Sequence, residues 1–188
     1  KNCPVMFESW RDSKTTRSQS MSTNQHHAKN PVKAFQYWSQ KEVPEEIIRL
    51  TILWNKILEK CGNDPIKIWS KEEARQWIED CAPEYSKAFA TSPHYAAESD
   101  VFRLAYTKIQ DCMYIDADMV PQKNALKILS ALLSGDSSAF FCFSPLPFIQ
   151  NSFFVSRFKC PVFRAIRNSL LGVDYEDKEI SAKLIHDT

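Results

Sequence analysis

Glycine is the residue that most constrains this chain, because it occurs only three times in 188 residues, as Gly62, Gly135 and Gly172. Average usage near 7% corresponds to roughly thirteen glycines in a chain of this length. The three lie too far apart to form a G-x-G-x-x-G dinucleotide turn or a G-x-x-x-x-G-K-[ST] phosphate loop. Any nucleotide bound by this chain must have its phosphates held by something else.

Charge and cysteine content exclude further classes of protein. There are 24 basic and 23 acidic side chains, and the net charge of +1 argues against nonspecific binding of nucleic acid. The six cysteines form no C-x-x-C pair, so we expect buried free thiols rather than structural zinc. No apolar run reaches the ~18 residues of a membrane span.

Residues 1–31 differ in composition from the rest of the chain. Between 11 and 30 the only apolar residues are Met21 and Ala28, which are too few to offset the entropy cost of ordering. We therefore predict a flexible or disordered segment at 1–31 and one folded domain at 32–188, truncated at one or both ends. The absence of N-x-[ST] sites favours the cytoplasm, whereas a missing signal or anchor would allow a secreted or membrane-associated protein.

From residue 32 onward, short apolar runs alternate with segments of helical periodicity, and this alternation predicts an α/β domain. Capping residues help to place the helices, as where Ser70 and Glu73 fit a capping box. The predicted strands are 33–38, 65–69, 112–115, 138–143 and 152–155. The predicted helices begin at Pro44, Lys71, Pro93, residue 122 and Pro161, and a further helix is predicted at 176–186.

The sequence YIDAD at 114–118 places two carboxylates at the end of a β-prone run. Open α/β sheets bind their ligands at the carboxyl ends of strands. Side chains alternate along a strand, so Asp116 and Asp118 are expected to point the same way and to share one divalent cation. Such a cation would neutralise phosphate charge in place of a glycine-rich loop.

A second motif lies upstream, in the sequence SDVFR at 99–103. Asp100 and Arg103 are three residues apart in a predicted helix and therefore share a face. Each motif alone has an ordinary interpretation, because D-x-D triplets are common in solvated turns and an i,i+3 pair is commonly a surface ion pair. The two motifs together, at their observed spacing, are a far more specific signal than either motif alone.

Together the motifs resemble the core of the D-x-D sugar transferases related to initiating α-mannosyltransferases, capsular polysaccharide synthesis enzymes and clostridial glucosylating toxins. That core reads roughly A-x-x-S-D-x-x-R, a spacer, then G-G-x-Y-x-D-x-D, and the chain reads AAESDVFRLAYTKIQDCMYIDAD. The segments VKAFQYWSQ and IQNSFFV resemble flanking parts of the family, so the resemblance covers about residues 32–170. The chain departs from the pattern at Asp111-Cys112, where the family has two glycines.

The resemblance implies a GT-A-like nucleotide-sugar-binding domain of the α/β class, with a central, mostly parallel sheet flanked by helices. It implies transfer of a hexose from a UDP- or GDP-hexose to a saccharide or protein acceptor, with retention at the anomeric centre. The cofactor implied is Mn²⁺ or Mg²⁺ on Asp116 and Asp118. Arg103 and the cation would stabilise the leaving phosphate. The implied catalytic residues are therefore Asp116, Asp118 and Arg103.

The resemblance also implies a set of donor-binding residues. Tyr37 and Trp38 would pack against the base, although this aromatic pair is equally explained as ordinary core. The other implied contacts are Asp100 and Arg103 to the ribose and sugar hydroxyls, Tyr114 to the diphosphate, and Asn151 and Ser152 to the sugar.

Two alternatives remain open at the level of sequence. The sequence DADMV at 116–120 also fits the D-x-D-x-[TV] motif of haloacid-dehalogenase-type phosphatases, with Asp116 as nucleophile and Asp118 as acid/base. That interpretation leaves the S-D-x-x-R motif unexplained. The missing glycine pair instead suggests a catalytically inactive, transferase-like binding domain. The base, the sugar and the acceptor cannot be identified from the motifs.

Overall fold

The computed structural model describes residues 32–135, 138–140 and 151–177. The segment predicted to be flexible at 1–31 therefore lies outside the described residues. The same is true of residues 141–143 of a predicted strand and of nearly all of the helix predicted at 176–186.

The described chain alternates strands and helices, as the sequence predicts. The elements are β1 (Lys33–Trp38), α1 (Glu45–Lys60), β2 (Lys67–Ser70), α2 (Lys71–Cys81), a 3-10 turn (Pro83–Tyr85), α3 (Ser86–Ala90), α4 (Tyr95–Tyr106), β3 (Cys112–Ile115), α5 (Ala125–Ser134), β4 (Ala139–Phe140), β5 (Phe153–Ser156) and α6 (Pro161–Asn168). Strands β1 and β3 have the predicted bounds. None of the helices among these elements is both long and apolar enough to cross a membrane.

The five described strands form one sheet in the order β2-β1-β3-β5-β4. β1 pairs in parallel with β2 and β3, whereas β5 pairs antiparallel with β3 and β4. The α/β class is confirmed, but the prediction of a mostly parallel sheet needs correction. The sheet is mixed because β5 runs opposite to both of its neighbours.

Alternation along the strands sends side chains into two helical layers. Phe35, Tyr37 and Tyr114 point into a core that also contains residues of α2, α3, α4 and α6. Ala34 and Met113 point to the other face, where residues of α1 and α5 cover the sheet. Helices therefore flank both faces, and the strand ends are left free to form a binding edge.

Several helix starts differ from the predicted ones. Helix α4 begins at Tyr95 rather than at Pro93, because the His94 side chain accepts a hydrogen bond from the amide of Ala97 and acts as the N-cap. Ser92, which directly precedes Pro93, instead donates its hydroxyl to the carbonyl of Ala88, at 2.8 Å, in the preceding helix. Polar side chains before a helix compete for the cap, and sequence alone does not show which one wins.

The structure describes four of the six cysteines, and the prediction of free thiols is confirmed for Cys61, Cys112 and Cys160. Only Cys112 is buried, and burial raises the pKa of its thiol. The other three, Cys61, Cys81 and Cys160, are half-buried, so burial was overestimated for them.

The capping box predicted at the start of α2 is confirmed and offers a test of local stability. The Ser70 hydroxyl accepts from the amide of Glu73, and the Glu73 carboxylate accepts from the amide of Ser70 at 3.0 Å. These contacts lower the pKa of Glu73. We expect Ser70→Ala to reduce the free energy of unfolding by about 1 kcal/mol, measured by urea denaturation.

The matched control for this prediction is Glu73→Gln, which keeps a side-chain acceptor at the third helical position. It should cost less than Ser70→Ala. Equal stability of Ser70→Ala and the unsubstituted protein would show that the box contributes nothing to folding.

Candidate functional site

A cleft of about 450 Å³ opens at one edge of the sheet. Because β1 and β3 are parallel neighbours, their carboxyl ends meet at this edge, where open α/β sheets bind ligands. The first turn of α1 and the start of α4 complete the walls. The lining residues include Trp38, Gln40, Glu46, Tyr95, Ser99, Arg103, Tyr114, Asp116 and Asp118.

The two aspartates of the YIDAD sequence line this cleft, although not as expected. β3 ends at Ile115, and the following residues form a turn in which the Met119 amide donates to the Asp116 carbonyl at 3.1 Å. The prediction that Asp116 and Asp118 share one side of a strand is therefore wrong. The main chain of Asp116 is held in place because its amide donates to the carbonyl of Ser152, at 2.8 Å. Ser152 lies directly before the first residue of β5.

Arg103 lies at the centre of the site, with only 5% of its surface exposed. Its guanidinium donates to the carbonyl and hydroxyl of Ser99 at 3.2 and 3.0 Å, and to the carbonyl and amide oxygen of Asn151 at 2.7 and 3.1 Å. It also pairs with Asp100 at 3.1 Å and with Asp116 at 3.4 Å. With five N–H donors in a fixed fork, Arg103 has little capacity left for a further ligand.

Asn151 closes this arrangement from the β5 side. Its amide nitrogen donates to Asp100 at 2.8 Å, so Asp100, Arg103 and Asn151 form one connected group. Neither Asp100, Asn151 nor Ser152 belongs to the described wall of the cleft. In the described structure Asp100 and Asn151 contact Arg103, and Ser152 contacts Asp116 through its main-chain carbonyl.

Tyr114 links the α4 motif to the aspartates. Its hydroxyl lies 2.9 Å from the Ser99 hydroxyl and donates to one carboxylate oxygen of Asp116 at 2.7 Å. Burial raises the pKa of the Tyr114 hydroxyl, so the group remains a donor across the neutral range. The guanidinium of Arg103 stacks 4.2 Å from the centre of the tyrosine ring. Residues from the two sequence motifs are thus joined in one network.

Asp116 and Asp118 differ in their surroundings. Asp116 is partly buried, and burial raises the pKa of its carboxyl, while Arg103 and the Tyr114 hydroxyl act in the opposite direction. Asp118 is exposed at the cleft. No group of three or more metal-ligating side chains occurs among residues 32–135, 138–140 and 151–177. Two carboxylates suit Mg²⁺ or Mn²⁺ when ligand oxygens and water supply the remaining coordination.

Both aromatic residues at the end of β1 line the cleft, but Tyr37 also belongs to the core. Tyr37 is 5% exposed and packs edge-on against Phe89, so much of this residue belongs to the core. Trp38 is half-buried and lines the cleft, and its indole N–H donates to the Glu42 carbonyl at 3.0 Å. The tryptophan ring is therefore anchored, and of the two residues it is the better placed to pack against a planar ligand.

Glu98 is a buried charge that sequence reasoning missed. It is 6% exposed, accepts from the Tyr37 hydroxyl at 2.6 Å and pairs with Lys71. The signal was present, because Glu98 precedes the core residues Phe102 and Tyr106 at spacings of four and therefore lies on the buried face of α4. A glutamate at such a position needs partners, and Glu98 ties α4 to the end of β1.

The departure from the family pattern at Asp111-Cys112 lies away from the cleft. Asp111 precedes β3 and Asp116 follows it, so the two are separated by roughly 16 Å of extended chain. Among the described residues other than glycine, only Lys159 has a positive φ. Asp111 and Cys112 therefore adopt backbone conformations that need no glycine.

Asp111 has a structural role of its own. Its carboxylate accepts from the Phe158 amide at 2.7 Å and from the mostly buried Arg157 guanidinium at 3.1 Å. We expect Asp111→Ala to lower the free energy of unfolding by about 1–3 kcal/mol, because the Phe158 amide loses its acceptor and the Arg157 guanidinium loses its carboxylate partner. Urea denaturation measures this loss, and titration with Mn²⁺ should show no change in metal affinity. Weakened metal binding in a stably folded variant would contradict the separation of the two regions.

Comparison of the chain with protein families, curated proteins and solved structures found no match. The chemistry of the cleft is therefore inferred from its own residues.

Proposed function

We propose that this chain is a metal-dependent glycosyltransferase with a GT-A-like fold. In this proposal it moves a hexose from a nucleotide-diphosphate sugar to a saccharide or protein acceptor and retains the anomeric configuration. The observation that carries the proposal is the convergence of Ser99, Arg103, Tyr114 and Asp116 in one hydrogen-bonded network beside the cleft. Ser99 and Arg103 lie in α4, whereas Tyr114 lies in β3 and Asp116 directly follows it. All four belong to the motifs that resemble the sugar transferases.

Asp116 and Asp118 would hold the cation, Mn²⁺ or Mg²⁺. The donor set fits, because both carboxylates line the cleft and the charge on Asp118 contributes to the raised pKa of Asp116. When bound, such a cation supplies Lewis-acid stabilisation of the charge that develops on the departing nucleoside diphosphate. The carboxylates take the place of the glycine-rich loop that the chain lacks.

The remaining residues of the network act on the aspartates and on the shape of the cleft. Tyr114 donates to one oxygen of Asp116 and so fixes the orientation of that carboxylate. Arg103 is occupied by Ser99, Asn151 and the acidic groups, so we assign it a positioning role in place of direct contact with the leaving phosphate. Its buried positive charge still lowers the cost of holding Asp116 ionised.

Thermal unfolding in the presence of ligands tests this function. We expect Mn²⁺ together with a UDP- or GDP-hexose to raise the melting temperature, and we expect Asp118→Asn to abolish that rise. Release of phosphate from a generic phosphoester, lost in Asp116→Asn, would instead support the phosphatase interpretation. If neither effect is observed, the inactive-domain interpretation is favoured.

A further inference from the structure

Two groups of residues in the cleft wall differ in chemistry. Asp116 and Asp118 follow β3 and, in the proposed function, hold the cation and the diphosphate. Trp38, Gln40 and Glu46 come from the segment where β1 leads into α1, and we take this segment as the nucleoside end of the cleft. Since the Arg103 side is filled by its own hydrogen-bond partners, the nucleoside would extend from the diphosphate toward Trp38.

Two adjacent carboxylates begin α1, and only one of them faces the cleft. Both Glu45 and Glu46 lie in the first turn, where a negative charge favours the helix dipole. Glu45 forms an ion pair with Arg49 at 2.6 Å and does not line the cleft. Glu46 lines it and is exposed, and within the described ranges no cation pairs with it. Glu46 is therefore free to accept hydrogen bonds from a ligand.

A base packed on Trp38 would present its polar edge to this region. The indole N–H is already used by the Glu42 carbonyl, so the ring offers an apolar face without an unsatisfied donor. The neighbouring polar side chains, Gln40 and Glu46, would then distinguish one base from another by hydrogen bonding. Gln40 carries two amide donors and one acceptor, whereas Glu46 is an acceptor only.

We propose that Glu46 makes the nucleoside end of the cleft selective for guanine over uracil; this inference rests on the proposed function. The hydrogen-bonding edge of guanine presents an acceptor, O6, followed by two adjacent donors, N1–H and N2–H₂. The two donors match the two oxygens of the Glu46 carboxylate, and O6 matches an amide donor of Gln40.

Uracil presents one donor, N3–H, between two carbonyl acceptors. Paired with the same two side chains, it would place one carbonyl oxygen against the carboxylate of Glu46. That contact is repulsive and would cost desolvation of a charged group, so the carboxylate discriminates against uracil as well as in favour of guanine.

Calorimetric titration of the full chain with GDP and with UDP, each with Mn²⁺, tests the inference. We expect GDP to bind at least about tenfold more tightly than UDP, as one bidentate pair would give. Glu46→Gln should reduce this preference to about threefold or less, because an amide offers one acceptor and one donor in place of two acceptors. Glu45→Gln, with its carboxylate outside the cleft, should keep the original preference.

The possible failures are distinguishable. Equal or tighter binding of UDP, or an unchanged preference in Glu46→Gln, would overturn the assignment of Glu46 while leaving a nucleotide site in place. If neither nucleotide binds in the presence of Mn²⁺, the proposed function fails and the selectivity fails with it. Equal melting temperatures of the two glutamine variants would show that differences in folding do not account for the result.

Discussion

Arg103→Met should lower the free energy of unfolding by about 3–5 kcal/mol, the cost of removing one partner from a buried charged group. The substitution removes the arginine donors from the Ser99 and Asn151 carbonyls and from the Asn151 amide oxygen, and it removes the positive charge beside Asp100. It also leaves Asp116 partly buried without its nearest positive charge. Urea denaturation followed by tryptophan fluorescence measures the loss.

Two further variants show whether the loss of stability in Arg103→Met is specific to this position or follows the loss of any arginine. Arg164→Met removes an exposed arginine from α6 and should change stability by less than about 0.5 kcal/mol. Arg103→Lys keeps the charge but cannot reproduce the planar fork, so it should fall between Arg103→Met and the unsubstituted protein. A loss below about 1 kcal/mol in Arg103→Met would contradict the network described here, because such a loss is typical of a surface pair.

Asp118→Asn should abolish metal-dependent nucleotide binding and leave folding intact. Asp118 is exposed and makes no contact that the folded chain needs among the described residues, so its loss should not alter the urea midpoint. Removing one of two carboxylate ligands should weaken Mn²⁺ binding by at least about 100-fold, the upper end of what even outer-shell substitutions cost. Electron paramagnetic resonance of free Mn²⁺, in the presence of GDP or UDP, measures the change.

The matched control is Asp80→Asn, which changes an exposed aspartate of α2 that does not line the cleft. Its Mn²⁺ affinity should equal that of the unsubstituted protein. Metal binding retained in Asp118→Asn would remove Asp118 from the site.

The sequence predicts the elements well where local signals are strong. The bounds of β1 and β3 follow from apolar runs between polar residues, and the capping box at Ser70 fixes the start of α2. The 3-10 turn and α3 escape prediction, because such short pieces are stabilised by packing of Tyr85 and Phe89 in the core and not by a periodic pattern. The strand β5 is predicted to within one residue, but its antiparallel direction is not, since strand direction depends on pairing between distant segments.

In the candidate site, too, local sequence signals predict some features, whereas others depend on contacts between distant segments. The spacing of the motifs predicts that residues near 100 and 116 act together, and the structure joins them through Tyr114. The roles of individual side chains depend on tertiary contacts, which is why the engagement of Arg103 by Asn151 and the pairing of Glu98 with Tyr37 and Lys71 could not be read from spacing alone. The turn after β3 illustrates the limit, because strand alternation fails one residue beyond the last strand residue.

The scarcity of glycine gives these observations a common physical basis. A chain without a glycine-rich loop has no backbone cradle for phosphate, and among the described residues that line the cleft there is no lysine. In this described part of the wall the charged groups, apart from the occupied Arg103, are Glu46, Asp116 and Asp118. A diphosphate would be repelled by these carboxylates unless a cation lies between them. Strict dependence on a divalent metal is therefore part of the proposed function.

The most direct test is a screen of nucleotide sugars by mass spectrometry, with and without Mn²⁺, for consumption of the donor by hydrolysis or transfer. The proposed function predicts that at least one UDP- or GDP-hexose is converted to free or transferred hexose and nucleoside diphosphate. It also predicts that the conversion stops in the absence of the metal and in Asp118→Asn. If no donor is consumed under any metal condition, or if conversion is unchanged without metal, the proposed glycosyltransferase is contradicted.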